Sequence, residues 1–153
     1  MPYVPKGRHF DDFTEGEVIV TASRTVTEAD VVAFAGVSGD YNALHTDATF
    51  AAATPFKERV AHGMLVASIA TGLANQAGVF EGTTLALLGM SAKWPAPVRF
   101  GDTLHLEITV TGKKASTSKP DRGVVTVTKV AKNQRGEAVM ESEWTVLMKR
   151  RLS

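Results

Sequence analysis

An α+β fold, one curved antiparallel sheet laid around a single long helix, is what this chain predicts, and three observations carry the prediction. Residues 63–77 contain no charged side chain and mix bulky with small residues all round, the pattern of a helix buried on most sides. The second half changes period: Leu104, Leu106, Ile108 and Val110 alternate with His105, Glu107, Thr109 and Thr111, and Met140, Ser142, Trp144, Val146 and Met148 hold one face of a later strand. Finally, a chain of 153 residues with 44% hydrophobic and 22% charged side chains suits one hydrophobic core and is short for two. Residues 1–153 are therefore expected to form a single domain.

Taken in order, residues 1–16 read as a lead-in punctuated by Pro and Gly, and Val18-Ile19-Val20 as a short strand. Thr27 precedes Glu28 and Asp30, acidic residues suited to a helix N-terminus, and that helix should end between Gly36 and Gly39. The segment from Asp40 to His45 reads as a loop, because Gly39 and Asn42 favour turns. A short helix follows from Asp47 to Ala53, capped by Thr46 or Asp47 and closed by Pro55. The uncharged helix would run roughly 22 Å at 1.5 Å per residue, short for a bilayer and right for the hollow of a curved sheet. Residues 84–93 make a strand, Val124 to Val130 another that pairs with both of its neighbours, and Asn133-Gln134-Arg135-Gly136 a hairpin turn. One long helix wrapped by such a sheet is the hot-dog arrangement. It leaves an edge strand unpaired, so pairing with a second copy of the chain is expected.

Composition removes several classes of function. A formal charge of +1 supplies no field that would gather nucleic acid or an anionic membrane surface. With no cysteine, disulfides, thiolate nucleophiles and thiolate-bound metals are excluded. The first residues lack the apolar core of a signal peptide and no apolar run reaches bilayer length, which points to a cytoplasmic protein.

The chemistry concentrates in Ser38-Gly39-Asp40-Tyr41-Asn42-Ala43-Leu44-His45, followed by Ala61-His62-Gly63-Met64 at the head of the uncharged helix. A loop can aim Asp40 and His45 at one point, giving a paired acid and base. Gly63 opens a helix whose first N–H groups have no intrahelical partner, and His62 occupies the place where Ser, Thr, Asp or Asn would normally cap them. The Gly63 N–H is thus free for an oxyanion. Against this stands the ordinary reading of an Asp near a His as a surface or capping pair. His62 reads by itself as a helix-start or packing residue, and Ser68 and Thr71 as small residues of a tight helix. Met64, Leu65, Ile69, Leu87, Leu88, Met90 and Trp94 are core or acyl-pocket candidates that sequence does not separate. His9 and His105 carry no role.

The run from Phe34 to Leu73 resembles the MaoC-like dehydratases, in particular the (R)-specific enoyl-CoA hydratases. Their motif has an Asp, an Asn two residues on, a His three beyond that, and a downstream His-Gly-Met, here Asp40, Asn42, His45 and His62-Gly63-Met64. Pro97-Val98-Arg99-Phe100-Gly101-Asp102 also looks like that family, so the likeness covers nearly the whole chain. Two positions depart from it. Ala43 stands where a Pro is common, and Thr71 where some relatives carry a Ser near the catalytic Asp.

The resemblance implies reversible hydration of a trans-2-enoyl-CoA thioester without metal or organic cofactor, in a homodimer or higher homo-oligomer. Asp40 and His45 would hold one water between them, and Gly63 would bind the thioester oxygen. Asn42, His62 and Thr71 would stand on the substrate side, Asn42 fixing the loop or reaching the substrate and Thr71 bonding Asp40. Lys113, Lys114, Lys119 and Arg122 are either a solvated hairpin or the place where CoA phosphates land. A hot-dog thioesterase and a non-catalytic acyl-CoA-binding module are the alternatives. Metal-dependent hydrolysis ranks below them, because His45 and His62 lack a third ligand at recognisable spacing.

Overall fold

Four long strands carry the architecture, and in three of them the apolar residues fall largely on one side. The computed structural model describes residues 1–151. It contains β1 (Val18–Val20), β2 (Arg24–Thr25), α1 (Glu28–Ser38), α2 (Ala43–Thr46), α3 (Ala48–Ala52), α4 (Gly63–Gln76), β3 (Thr84–Lys93), β4 (Thr103–Ala115), β5 (Arg122–Lys132) and β6 (Ala138–Lys149). The sheet order is β1-β4-β5-β6-β3, with β2 also on β4, and every pairing is antiparallel. Buried and part-buried residues alternate along β5 without a break and along most of β4, so each presents one apolar face to the core. Helix α4 fills that core with Leu65, Val66, Ile69, Ala70, Leu73 and Ala74. This is the α+β hot-dog layout that the sequence predicts.

Local chemistry sets the helix ends. The Thr27 side chain accepts from the Asp30 N–H while the Asp30 carboxylate accepts from the Thr27 N–H, a reciprocal cap. At the other end Gly39 adopts φ +75°, a left-handed conformation that glycine takes at little cost. Asp47 caps α3 through the Phe50 N–H.

Three expectations need correction. The Asp40–His45 segment is not all loop, since Ala43–Thr46 forms one helical turn that carries His45. Helix α4 is less enclosed than its uncharged sequence suggests: Met64, Ser68, Thr71 and Asn75 form an exposed stripe, because the sheet of one chain covers only part of its circumference. The lead-in contains a 3-10 turn at Phe10–Asp12, and β2 is a two-residue strand too short to leave a periodic signal. Arg150 and Arg151 pair with Asp11 and Asp12 and tie the end of the sheet to that turn.

The turn also explains a glycine. A Cβ on Gly123 of β5 would lie 2.5 Å from Cδ2 of the buried Phe10 ring. Gly123→Ala is therefore expected to destabilise the fold by about 1–3 kcal/mol, as overpacking does. A urea transition at the wild-type midpoint would mean instead that Phe10 moves aside freely.

Candidate active site

The Asp40 loop is held by its own neighbours. The Asp40 N–H donates to Ser38 Oγ at 3.1 Å, the Asn42 N–H donates to Asp40 Oδ1 at 3.1 Å, and the Leu44 N–H donates to Asn42 Oδ1 at 3.1 Å. Asn42 is thus the N-cap of α2, which fixes where that single turn starts. His45, on the turn, is locked from the far side: its Nδ1 lies 2.7 Å from the Val60 carbonyl oxygen. A carbonyl oxygen only accepts, so Nδ1 carries the hydrogen and a neutral ring keeps its lone pair on Nε2.

His62 joins this loop to α4. Its ring is buried, with Nε2 2.9 Å from the Asp40 carbonyl oxygen, and by the same argument Nε2 is the donor. The ring packs against His45 at a tilt of 31°, with centroids 3.9 Å apart, and meets Phe34 at 5.0 Å. One imidazole therefore sets the height of Asp40 and the tilt of His45. Its Nδ1 is buried and finds no partner among the described residues.

Ligand-capable atoms of Asp40, His45 and His62 lie within 4.8 Å of one another. A gap of that size between a carboxylate oxygen and a ring nitrogen admits one water hydrogen-bonded to both. The same convergence supplies, in space, the third metal ligand that the linear spacing of His45 and His62 does not reveal. Both ring N–H groups are already committed to carbonyl oxygens, leaving Asp40, His45 Nε2 and His62 Nδ1 as the donor set a cation would need.

Helix α4 starts beside these residues without a side-chain cap from His62. The Gly63 N–H, at its first position, donates to no group among the described residues. A Cβ at Gly63 would lie 3.0 Å from the Trp94 indole, so the glycine leaves room for that ring as well as for a ligand. Thr71 does not bond Asp40. Its hydroxyl donates to the Ala67 carbonyl at 3.0 Å, one helical turn back, and its side chain lines a cavity.

That cavity, about 450 Å³, is lined on one side by α4 residues from Met64, the residue after Gly63, to Asn75, and on the other by residues of the sheet. It separates the apolar candidates: Met64, Leu87 and Met90, exposed in one chain, line it, Leu65 and Ile69 belong to the core, and Leu88 and Trp94 are exposed without lining it. Lys113 and Arg122 are engaged elsewhere, Lys113 with the Phe13 carbonyl and the Phe10 ring, Arg122 with Asp121. Sequence reasoning passed over Lys129, which lines the same cavity and is fully buried. Its phase with Val125, Val127 and Ala131 on β5 was the available signal. Burial pushes its ammonium down to about 7.

Residues 12–134 match the MaoC like domain family model. The (R)-specific enoyl-CoA hydratase of Rhodospirillum rubrum is 34% identical over 140 residues, covering 92% of this chain and 91% of that protein. The protein of the same name from Aeromonas caviae is 36% identical over 124 residues, covering 81% and 87%. The crystal structure of a MaoC-like dehydratase from Rhodospirillum rubrum superimposes with a TM-score of 0.83 at 35% identity, over 96% of this chain and 100% of that one. Sheet, central helix and sequence agree along nearly the whole length, and the chain belongs to the MaoC-like domain family.

Proposed function

We propose that this protein is a hydro-lyase that reversibly adds water to a trans-2-enoyl-CoA thioester to give the (R)-3-hydroxyacyl form. The observation that carries the reading is the convergence of the Asp40 carboxylate and the His45 and His62 imidazoles within 4.8 Å, next to an uncapped helix N-terminus. Relatives named (R)-specific enoyl-CoA hydratase support it.

In this reading a water sits between Asp40 and His45 Nε2. As its oxygen bonds to C3 the pair takes up one proton, and negative charge moves through C2 to the thioester oxygen. The Gly63 N–H and the positive end of α4 stabilise that oxygen. Proton delivery from the pair to C2 completes the addition and restores both side chains, so no net proton is consumed. The two groups titrate as one unit, so acid and base are roles of the pair. Asn42 and His62 position the pair, and Thr71 contacts the acyl chain.

The protein is further read as a cytoplasmic homodimer. Leu85 and Leu88 are exposed on β3, an edge strand of the sheet, without lining the cavity, and a second copy would cover them there. No helix among the described residues is long and apolar enough to cross a membrane.

Purified protein mixed with crotonyl-CoA is expected to bleach the absorbance of the conjugated enoyl thioester, to yield the (R)-3-hydroxy product and to keep its activity after treatment with a chelator. Thiol release from saturated acyl-CoA without hydration would replace this reading by a thioesterase. Tight binding without chemistry across a panel of enoyl-CoA thioesters would leave a binding module.

A further inference from the structure

We propose that Lys129 and Trp144 form an acceptor-binding pair in the wall of the acyl cavity, selecting acyl chains that end in a carboxylate. The cavity lining is largely apolar, with Phe80, Leu87, Met90 and Val146 among its walls. Its hydroxyls are already used: Ser68 donates to the Met64 carbonyl, Thr71 to that of Ala67 and Thr84 to that of Phe80. Apart from the exposed Asn75 amide, two donors are left over. Lys129 Nζ and Trp144 Nε1 are both buried, and neither finds a hydrogen-bond partner among the described residues.

An unpaired buried donor is costly, and two that line one cavity are rarer than one. The Lys129 ammonium lies 3.3 Å from the centroid of the Trp144 ring and 4.9 Å from that of Phe80. Aromatic faces attract a cation but supply no lone pair for its remaining N–H groups. The Trp144 indole N–H donates only and faces the same shortage. A ligand carboxylate offers two oxygens to two donors, and its negative charge would hold the amine protonated. Burial by itself lowers the amine's affinity for protons, and a carboxylate beside it would raise that affinity again.

The thioester end fixes the direction. With its oxygen on the Gly63 N–H, the acyl chain would run along the α4 residues that line the cavity, from Met64 toward Asn75, and Lys129 lies over Phe80, just past the C-terminal end of that helix, so the far end of the chain is the part left to meet it. The proposal thus rests on the acyl-thioester reading of the site and adds the chemistry of the chain terminus. A methyl-terminated chain would leave both donors unpaired and should bind less well than its length suggests.

Equilibrium binding tests this without turnover. Succinyl-, adipoyl- and suberoyl-CoA are titrated against butyryl-, hexanoyl- and octanoyl-CoA on wild type, Lys129→Met, Lys129→Gln and Trp144→Phe. One carboxylate member is expected to bind wild type about 10- to 100-fold tighter than its methyl-terminated counterpart, as a charge-assisted hydrogen bond implies. Lys129→Met should abolish or reverse that ratio, and Trp144→Phe should lower it several-fold. Met matches the buried stem of lysine, and if that variant does not fold, Lys129→Gln carries the test. A wild type that prefers the methyl series or neither overturns the proposal, as does an unchanged ratio in the Lys129 variants. Those outcomes spare the hydratase reading, which fails instead if crotonyl-CoA is not hydrated. Should neither series bind at all, both fall.

Discussion

Asp40→Asn and His45→Gln are each expected to lower kcat/KM for enoyl-CoA hydration by about 10²–10⁴-fold, the range that a positioned acid or base contributes. Asn keeps the size of the Asp40 side chain and an acceptor for the Asn42 N–H, so the turn that carries His45 should survive. What it loses is the ability to take a proton. Gln at position 45 likewise lacks the Nε2 lone pair that Val60 leaves facing the water. Because the two act on one water, the double variant should be scarcely slower than the worse single one. Near-wild-type rates in both single variants, with melting transitions unchanged, would move the chemistry elsewhere.

Gly63→Pro is expected to cost about 10²–10³ in kcat, the usual loss when one oxyanion donor is deleted. The first position of a helix is where proline fits best, since its missing N–H would have no intrahelical partner there. The backbone at Gly63 is not left-handed, so the substitution meets no conformational barrier on that account. It does bring a Cβ to 3.0 Å from Trp94, and Gly63→Ala brings the same atom while keeping the N–H. The ratio of the two variants therefore isolates the donor. Equal kcat values would remove the Gly63 N–H from the mechanism.

Most of the fold was legible in the sequence because β5 and most of β4 and β6 are periodic and α4 is uncharged. The bounds of β1 and β3 were read directly, whereas β2 escaped because two residues cannot show a period of two. The helical turn at Ala43–Thr46 escaped because Asn42 has the same sequence signature as a turn residue and as an N-cap. At the site, Asp40, His45 and Gly63 were visible through their spacing. The central part of His62 was not, because packing against His45 and bonding to the Asp40 carbonyl depend on elements that meet only after folding. Lys129 was hidden differently. A lysine in phase with Val125 and Val127 looks like an exception to a pattern until Phe80 and Trp144 are seen around it.

The bonds that hold Asp40, His45 and His62 in place run largely to main-chain atoms: the Val60 and Asp40 carbonyls and the Asn42 amide. The walls of the neighbouring cavity are built instead from side chains of α4, β3, β5 and β6. Reactivity and selectivity are in this sense wired separately, so substrate scope can be retuned by exchanging sheet residues while the proton-handling apparatus stays undisturbed.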